Sequence, residues 1–129
     1  MSIKNSVILI NDNTDLLNLF ISALEHEKIN TYAFTDPTLA LEKIRTSPDL
    51  CSVALIDYSS QIKKSQRRFA REVKAINNQI KIVLTSGYNL YQEDISNDGY
   101  DRLLQLPVKI ADLVSTVKEV LNTVEGVKT

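Results

Sequence analysis

Short apolar runs alternate along this chain with longer stretches whose apolar residues recur at helical spacing, and that alternation restricts the fold more than any other feature. Ser6 to Ile10, Thr31 to Phe34, Val53 to Tyr58, Ile80 to Leu84 and Arg102 to Leu106 read as strands. Between and after them lie the stripes Leu17, Phe20, Ile21, Leu24; Leu39, Ala40, Ile44; Phe69, Ala70, Val73, Ile76; and Ile110, Leu113, Val114, Val117, Leu121, Val124. Residues three and four apart share one helix face, so each stripe predicts an amphipathic helix. A polar loop is expected from Tyr58 to Ser65, and a short, partly exposed helix from Tyr88 to Tyr100. Strand and helix thus alternate five times, which calls for a parallel sheet covered by helices on both faces.

Local signals agree with this reading. Asp12 or Asn13 can cap the first helix, with Asp15 in its first turn favoured by the helix dipole. Asp36-Pro37 is an N-cap followed by proline at the first helical position. Ser47-Pro48-Asp49 stops that helix, and Asp98-Gly99 is a turn signal. Right-handed crossovers leave few topologies, of which the flavodoxin-like order 2-1-3-4-5 is the commonest at this size. The expectation is therefore a single α/β domain over residues 1–129, a flavodoxin-like (βα)5 unit, with 125–129 as a frayed tail.

Composition narrows the function classes. At 129 residues the chain can bury a sizeable core, and its formal net charge of -1 gives no global field to select nucleic acid or an anionic membrane. The single cysteine, Cys51, excludes an internal disulfide and any multi-cysteine metal site, and reads as a small core residue. The N-terminal apolar run is broken by Asn11 and Asp12, so it is neither a signal peptide nor a membrane span, and the cytoplasm is the expected location.

The expected topology gathers the candidate site. Val53-Ala54-Leu55-Ile56 leads straight into Asp57, which could equally be an N-cap or turn residue on local sequence alone. In the order 2-1-3-4-5, strands one and three meet at the switch point, where open α/β sheets bind ligands. Asn11, Asp12 and Asp57 then converge at one sheet edge, with Thr85 beside them. Two carboxylates and an amide form an all-oxygen cluster suited to a hard cation such as Mg2+, which would draw an anionic phosphoryl group toward Asp57. A carboxylate can attack phosphorus to give an aspartyl phosphate, and the Thr85 hydroxyl could donate to a phosphoryl oxygen.

Four motifs in order carry a family resemblance: Val7-Ile8-Leu9-Ile10-Asn11-Asp12, Ala54-Leu55-Ile56-Asp57, Leu84-Thr85-Ser86-Gly87-Tyr88 and Leu104-Gln105-Leu106-Pro107-Val108. Together they resemble the response-regulator receiver domains of two-component signalling, over essentially the whole chain. The resemblance implies that Asp57 is the phosphoacceptor, Asp12 a direct metal ligand, the Ser59 backbone carbonyl a third ligand, and Thr85 the switch hydroxyl. It also implies a histidine kinase or phosphotransfer protein as phosphodonor, and no enzymatic activity beyond the domain's own phosphorylation and dephosphorylation. The chain departs from the family where Asn11 replaces a second acid, Leu106 replaces a lysine before the proline, and Leu103 replaces a common aromatic. The Asn11 substitution leaves that side chain a weak, outer contributor and implies weak metal affinity. Lys109 lies past the proline. The loop after Asp57 also lacks the usual Met-Pro and Gly.

Two further readings accompany this one. A degenerate receiver would keep the fold and act as a phosphorylation-independent interaction module. A flavin-binding flavodoxin is disfavoured because the acidic loop Asn11-Asp12-Asn13-Thr14-Asp15 would repel a phosphate. No output domain is expected, so signalling would pass through protein contacts on the face of the Tyr88–Tyr100 helix, the fifth strand and the last helix. Lys63, Lys64, Arg67, Arg68 and Arg71 read as a solvated helix face, or as a patch for an acidic partner from which Lys63 or Lys64 could reach the site. His26 reads as an exposed surface residue. Tyr88, Tyr91 and Tyr100 form either an exposed aromatic face or packing against their own helix.

Overall fold

A computed structural model describes residues 6–58, 63–87 and 99–124, with the side chains at 58, 63–67 and 124 outside the described set. Its elements run β1 (Ser6–Ile10), α1 (Thr14–His26), β2 (Asn30–Phe34), α2 (Pro37–Thr46), β3 (Val53–Tyr58), α3 (Lys63–Ile76), β4 (Lys81–Ser86), β5 (Arg102–Gln105) and α4 (Ile110–Val124). The five strands form one parallel sheet in the order β2-β1-β3-β4-β5, as the alternation predicted. Ser59 and the segment 88–98, where a further helix was expected, lie outside the described residues.

The sheet separates two apolar compartments, and strand parity assigns residues to them. Ile8, Ile10, Ala54, Ile56, Ile82 and Leu84 pack with α2 and α3 residues such as Ile44, Phe69 and Val73. Their neighbours Val7, Leu9, Val53, Leu55 and Val83 pack with α1 and α4 residues such as Phe20, Leu24, Leu113 and Val117. Successive side chains of a strand point to opposite faces, so a continuous apolar run is what a doubly covered strand requires.

The caps form where the sequence placed them. Asn13, not Asp12, caps α1, its side-chain oxygen accepting from the Leu16 N–H at 3.1 Å. Asp36 caps α2 by accepting from the Thr38 N–H at 2.9 Å, with Pro37 opening the helix.

Several expectations are corrected. Helix α3 begins at Lys63, inside the expected polar loop. Thr85 and Ser86 belong to β4 itself because they pair with β3, so that strand runs to its functional residues rather than stopping short of them. On α4, Ile110 and Val114 are only partly buried while Val120 joins the core. Tyr100 is 5% exposed and packs in the α2–α3 compartment, so it belongs to no exposed aromatic face. Gly99 explains this placement: its φ of +98° turns the chain where a Cβ would lie 3.3 Å from that of Ala70 on α3. Cys51 is buried, and burial pushes its thiol up to about 12. His26 is exposed at the end of α1.

Candidate functional site

The register of the two central strands builds the site. Asp57 on β3 pairs with Thr85 on β4, and paired residues of a parallel ladder share a sheet face. Both have the parity of Leu55 and Val83, which puts them over the α1–α4 compartment. There the Thr85 hydroxyl donates to Asp57 Oδ1 at 2.7 Å. Asn11, Leu17 and Phe20 pack around Asp57 and Thr85, leaving a gap too tight to admit a water.

The β1–α1 turn brings up the third group. Asn11 is 2% exposed, and its side-chain oxygen accepts from the Asn13 N–H at 2.9 Å. Its own N–H donates to the Phe34 carbonyl on β2 at 3.1 Å. Asn11 and Asn13 thus fix the turn by successive side-chain-to-backbone bonds, a habit of short polar side chains. Asp12 is carried between them, half-buried at the sheet edge.

Electrostatics tie the two acids together. Burial pushes the Asp57 carboxyl above its ordinary range; the Thr85 hydrogen bond opposes this, and the negative charge of Asp12 adds to it. A divalent cation between such groups relieves both the burial cost and the repulsion.

The residues present fit Mg2+ in modest terms. Asp12 and Asp57 supply hard oxygen donors, and Mg2+ is commonly held by one or two carboxylates with waters and phosphate completing its shell. Among the described residues there is no group of three or more His, Cys, Asp or Glu that could hold a metal ion. The Asn11 amide is engaged in the turn. The predicted Ser59 carbonyl ligand and the Lys63 and Lys64 side chains lie outside the described set.

At the other flank, Leu106 follows β5, its N–H donating to the Ser86 carbonyl at 2.7 Å. Gln105 Nε2 donates to the same carbonyl at 2.9 Å. Leu106 is partly buried against apolar neighbours, while Lys109 is exposed. Sequence reasoning expected Asp12, Asp57 and Thr85 at this edge but missed the packing of Phe20 beside them. The available signal was the spacing of Phe20 from Leu17 on a helix that starts at the sheet edge.

A scan against protein-family models finds no match, and a search of curated proteins finds none. Solved structures do match. A CheY-like response regulator receiver domain protein from Methanospirillum hungatei JF-1 is 22% identical, with a TM-score of 0.82 over 96% of this chain and 98% of that one. The fold is that of a receiver domain. A response regulator receiver domain protein from Clostridium thermocellum is 20% identical, with a TM-score of 0.82 over 93% of this chain and 96% of that one. The receiver fold also recurs at 9% identity in a putative pilus assembly-related protein from Burkholderia pseudomallei K96243, with a TM-score of 0.76 over 94% of this chain and 93% of that one. No described helix of this receiver fold is long and apolar enough to cross a membrane.

Proposed function

We propose that residues 1–129 act as one receiver unit that accepts a phosphoryl group on Asp57 and signals through protein contacts. The observation supporting this most directly is the Thr85 hydroxyl bonded to the Asp57 carboxylate at the sheet edge, with Asp12 near enough to perturb that carboxylate. The donor is the phosphohistidine of a kinase or phosphotransfer protein.

One carboxylate oxygen of Asp57 attacks phosphorus as the bond from phosphorus to the donor's imidazole nitrogen breaks, giving an aspartyl phosphate and a free imidazole. The Thr85 hydroxyl, already turned toward Asp57, transfers its hydrogen bond to a phosphoryl oxygen. Asp12 and Asp57 are the side chains that would hold Mg2+, and the family resemblance would add the Ser59 carbonyl as a third donor. The chemistry such a cation would supply there is neutralisation of charge on the transferring phosphoryl group. Hydrolysis of the acyl phosphate by water restores Asp57, so the only chemistry is the domain's own modification and its reversal. Downstream contacts fall on the face of β5 and α4 with the segment between β4 and β5.

A second reading is a phosphorylation-independent module, favoured by Leu106, whose apolar side chain can donate nothing to a phosphoryl group. Loss of one charge-assisted hydrogen bond costs about 1.5–3 kcal/mol, which slows and weakens phosphorylation without removing the nucleophile. Intact mass after incubation with Mg2+ and a small acyl phosphate separates the readings. A single added phosphate that disappears in Asp57→Asn is expected. Absence of an adduct even in the combined Asn11→Asp, Leu106→Lys variant would overturn the phosphoacceptor reading.

A further inference from the structure

One lateral margin of the sheet is open, and the phosphoacceptor chemistry does not use it. Strand β2 stands last in the order, and among the described residues its strand neighbour is β1 alone. Its sequence, Asn30-Thr31-Tyr32-Ala33-Phe34, pairs residue for residue with β1, without a bulge. It holds neither a charge nor a proline, devices by which natural edge strands avoid pairing. The opposite margin, β5, is shorter and carries Arg102. Among the described residues the exposed large apolar side chains are Leu19, Tyr32 and Leu39. Two of them flank this margin: Tyr32 belongs to β2 and Leu39 to α2, the helix packed beside it.

The backbone decides which residues face outward. The Phe34 carbonyl accepts from the Asn11 N–H, so Phe34 turns its polar groups toward β1. The N–H and C=O of one strand residue point to the same side, and successive residues alternate. Tyr32 therefore also faces β1, while Thr31 and Ala33 present their N–H and C=O groups to the open margin. An antiparallel copy of β2 centred on Tyr32 sets Thr31 opposite Ala33 of the copy, and Ala33 opposite its Thr31. Both become hydrogen-bonded pairs, which exchange bonds in both directions. Tyr32 meets Tyr32 of the copy as a non-hydrogen-bonded pair, where side chains approach most closely.

Charge selects the same register and the same occupant. Lys28 precedes Tyr32 by as many residues as Asp36 follows it, and both are exposed. The two-fold thus sets Lys28 of each copy against Asp36 of the other. Sliding the copy so that Ala33 faces Ala33 sets Lys28 against Thr38 and loses both pairings. The Glu25 carboxylate accepts from the Thr31 hydroxyl at 3.2 Å, which holds it on the α1 side, off the ladder.

We propose that β2 pairs with β2 of a second copy of this chain, antiparallel and centred on Tyr32, so that two sheets join into one. The carboxyl edges of the two sheets then point in opposite directions, and each Asp57 stays open while the chain is paired.

Sedimentation equilibrium of the whole chain should show a mass that rises toward the dimer with concentration. Ala33→Pro removes an N–H that faces the margin and spares the ladder to β1; lost in both copies, it should weaken association about tenfold. Tyr32→Lys sets like charges against each other at the centre and should weaken association as well, which keeps the test decisive if proline disturbs folding. Thermal melting checks that both variants fold. Cross-linking reads the register: under mild oxidant Tyr32→Cys should give a disulfide-linked dimer because residue 32 faces itself, whereas Ala33→Cys, opposite Thr31, should not. Cys51 is buried and takes no part. A dimer that folded Ala33→Pro and Tyr32→Lys leave intact, or cross-linking through residue 33 in preference to residue 32, would overturn the proposal. So would a chain that stays monomeric at every concentration, since the margin would then be left to a strand of another protein.

Discussion

Asp57 carries the clearest pH signature. Its native carboxyl holds a proton more tightly than the same group in the unfolded chain, chiefly because of burial. The native state then binds more protons than the unfolded state across the window from the ordinary value of 3.8 upward, so stability falls as pH rises through that window. In metal-free buffer, Asp57→Asn should therefore raise the melting temperature at neutral pH, and the gain should vanish near pH 3. The Asn11→Asp change keeps an oxygen to accept the Asn13 N–H and adds a charge beside Asp12. Calorimetry should show Mg2+ binding about tenfold tighter in that variant, roughly the effect of a favourable nearby charge. The places of Asp57 and Thr85 were legible because each directly follows an apolar run, and that of Asp12 because one residue separates it from the end of another. The bond of the Asn11 amide to its own turn was not legible, because an asparagine can turn outward to a ligand or back to the backbone with the same spelling. Nor was the burial of Tyr100, which depends on the Gly99 turn meeting Ala70 from a distant helix.

Among the elements, the lower end of the sheet is held by a polar clamp. Lys74 Nζ at the end of α3 donates to the Ile80 carbonyl and to Asp101 Oδ2, each at 2.8 Å, and the same carboxylate oxygen accepts the Ile82 N–H at 2.8 Å. One carboxylate therefore ties α3, β4 and the start of β5. Removing it leaves a strand N–H and an ammonium without that acceptor, so Asp101→Ala should cost about 1–2 kcal/mol. Chemical denaturation should show that loss, with hydrogen exchange rising first at Ile82. Gly99→Ala should cost a similar 1–3 kcal/mol, since it forces a side chain into a left-handed backbone conformation. Helix starts marked by a cap residue, as at Asn13 and Asp36, were readable. The start of α3 at Lys63 was not, because the basic residues there are equally at home in a loop or a first turn.

For the molecule as a whole, the sheet keeps its two compartments apart. Ile44 is fully buried on the α2–α3 side and Leu113 on the α1–α4 side. Ile44→Val should cost about 0.5–1.5 kcal/mol and Leu113→Ala about 2–5 kcal/mol. Their double mutant should equal the sum to within about 0.5 kcal/mol in denaturant titrations, as sites without shared partners do. The order of strands was readable from alternation alone, whereas the outward turn of the Thr31 and Ala33 backbone on β2 was not, since it depends on the register of β2 against β1. The parity that sorts Leu55 from Ile56 also fixes which side Asp57 faces. Inserting one codon between Leu55 and Asp57 shifts that frame by half a pleat. Either the apolar side chains upstream trade compartments, or Asp57 turns away from Thr85 to the α2–α3 face. Two inserted codons restore the facing. Length variation within β3 is thus constrained to even steps by the same geometry that seats the carboxylate, and a one-residue deletion there should be more harmful than many substitutions.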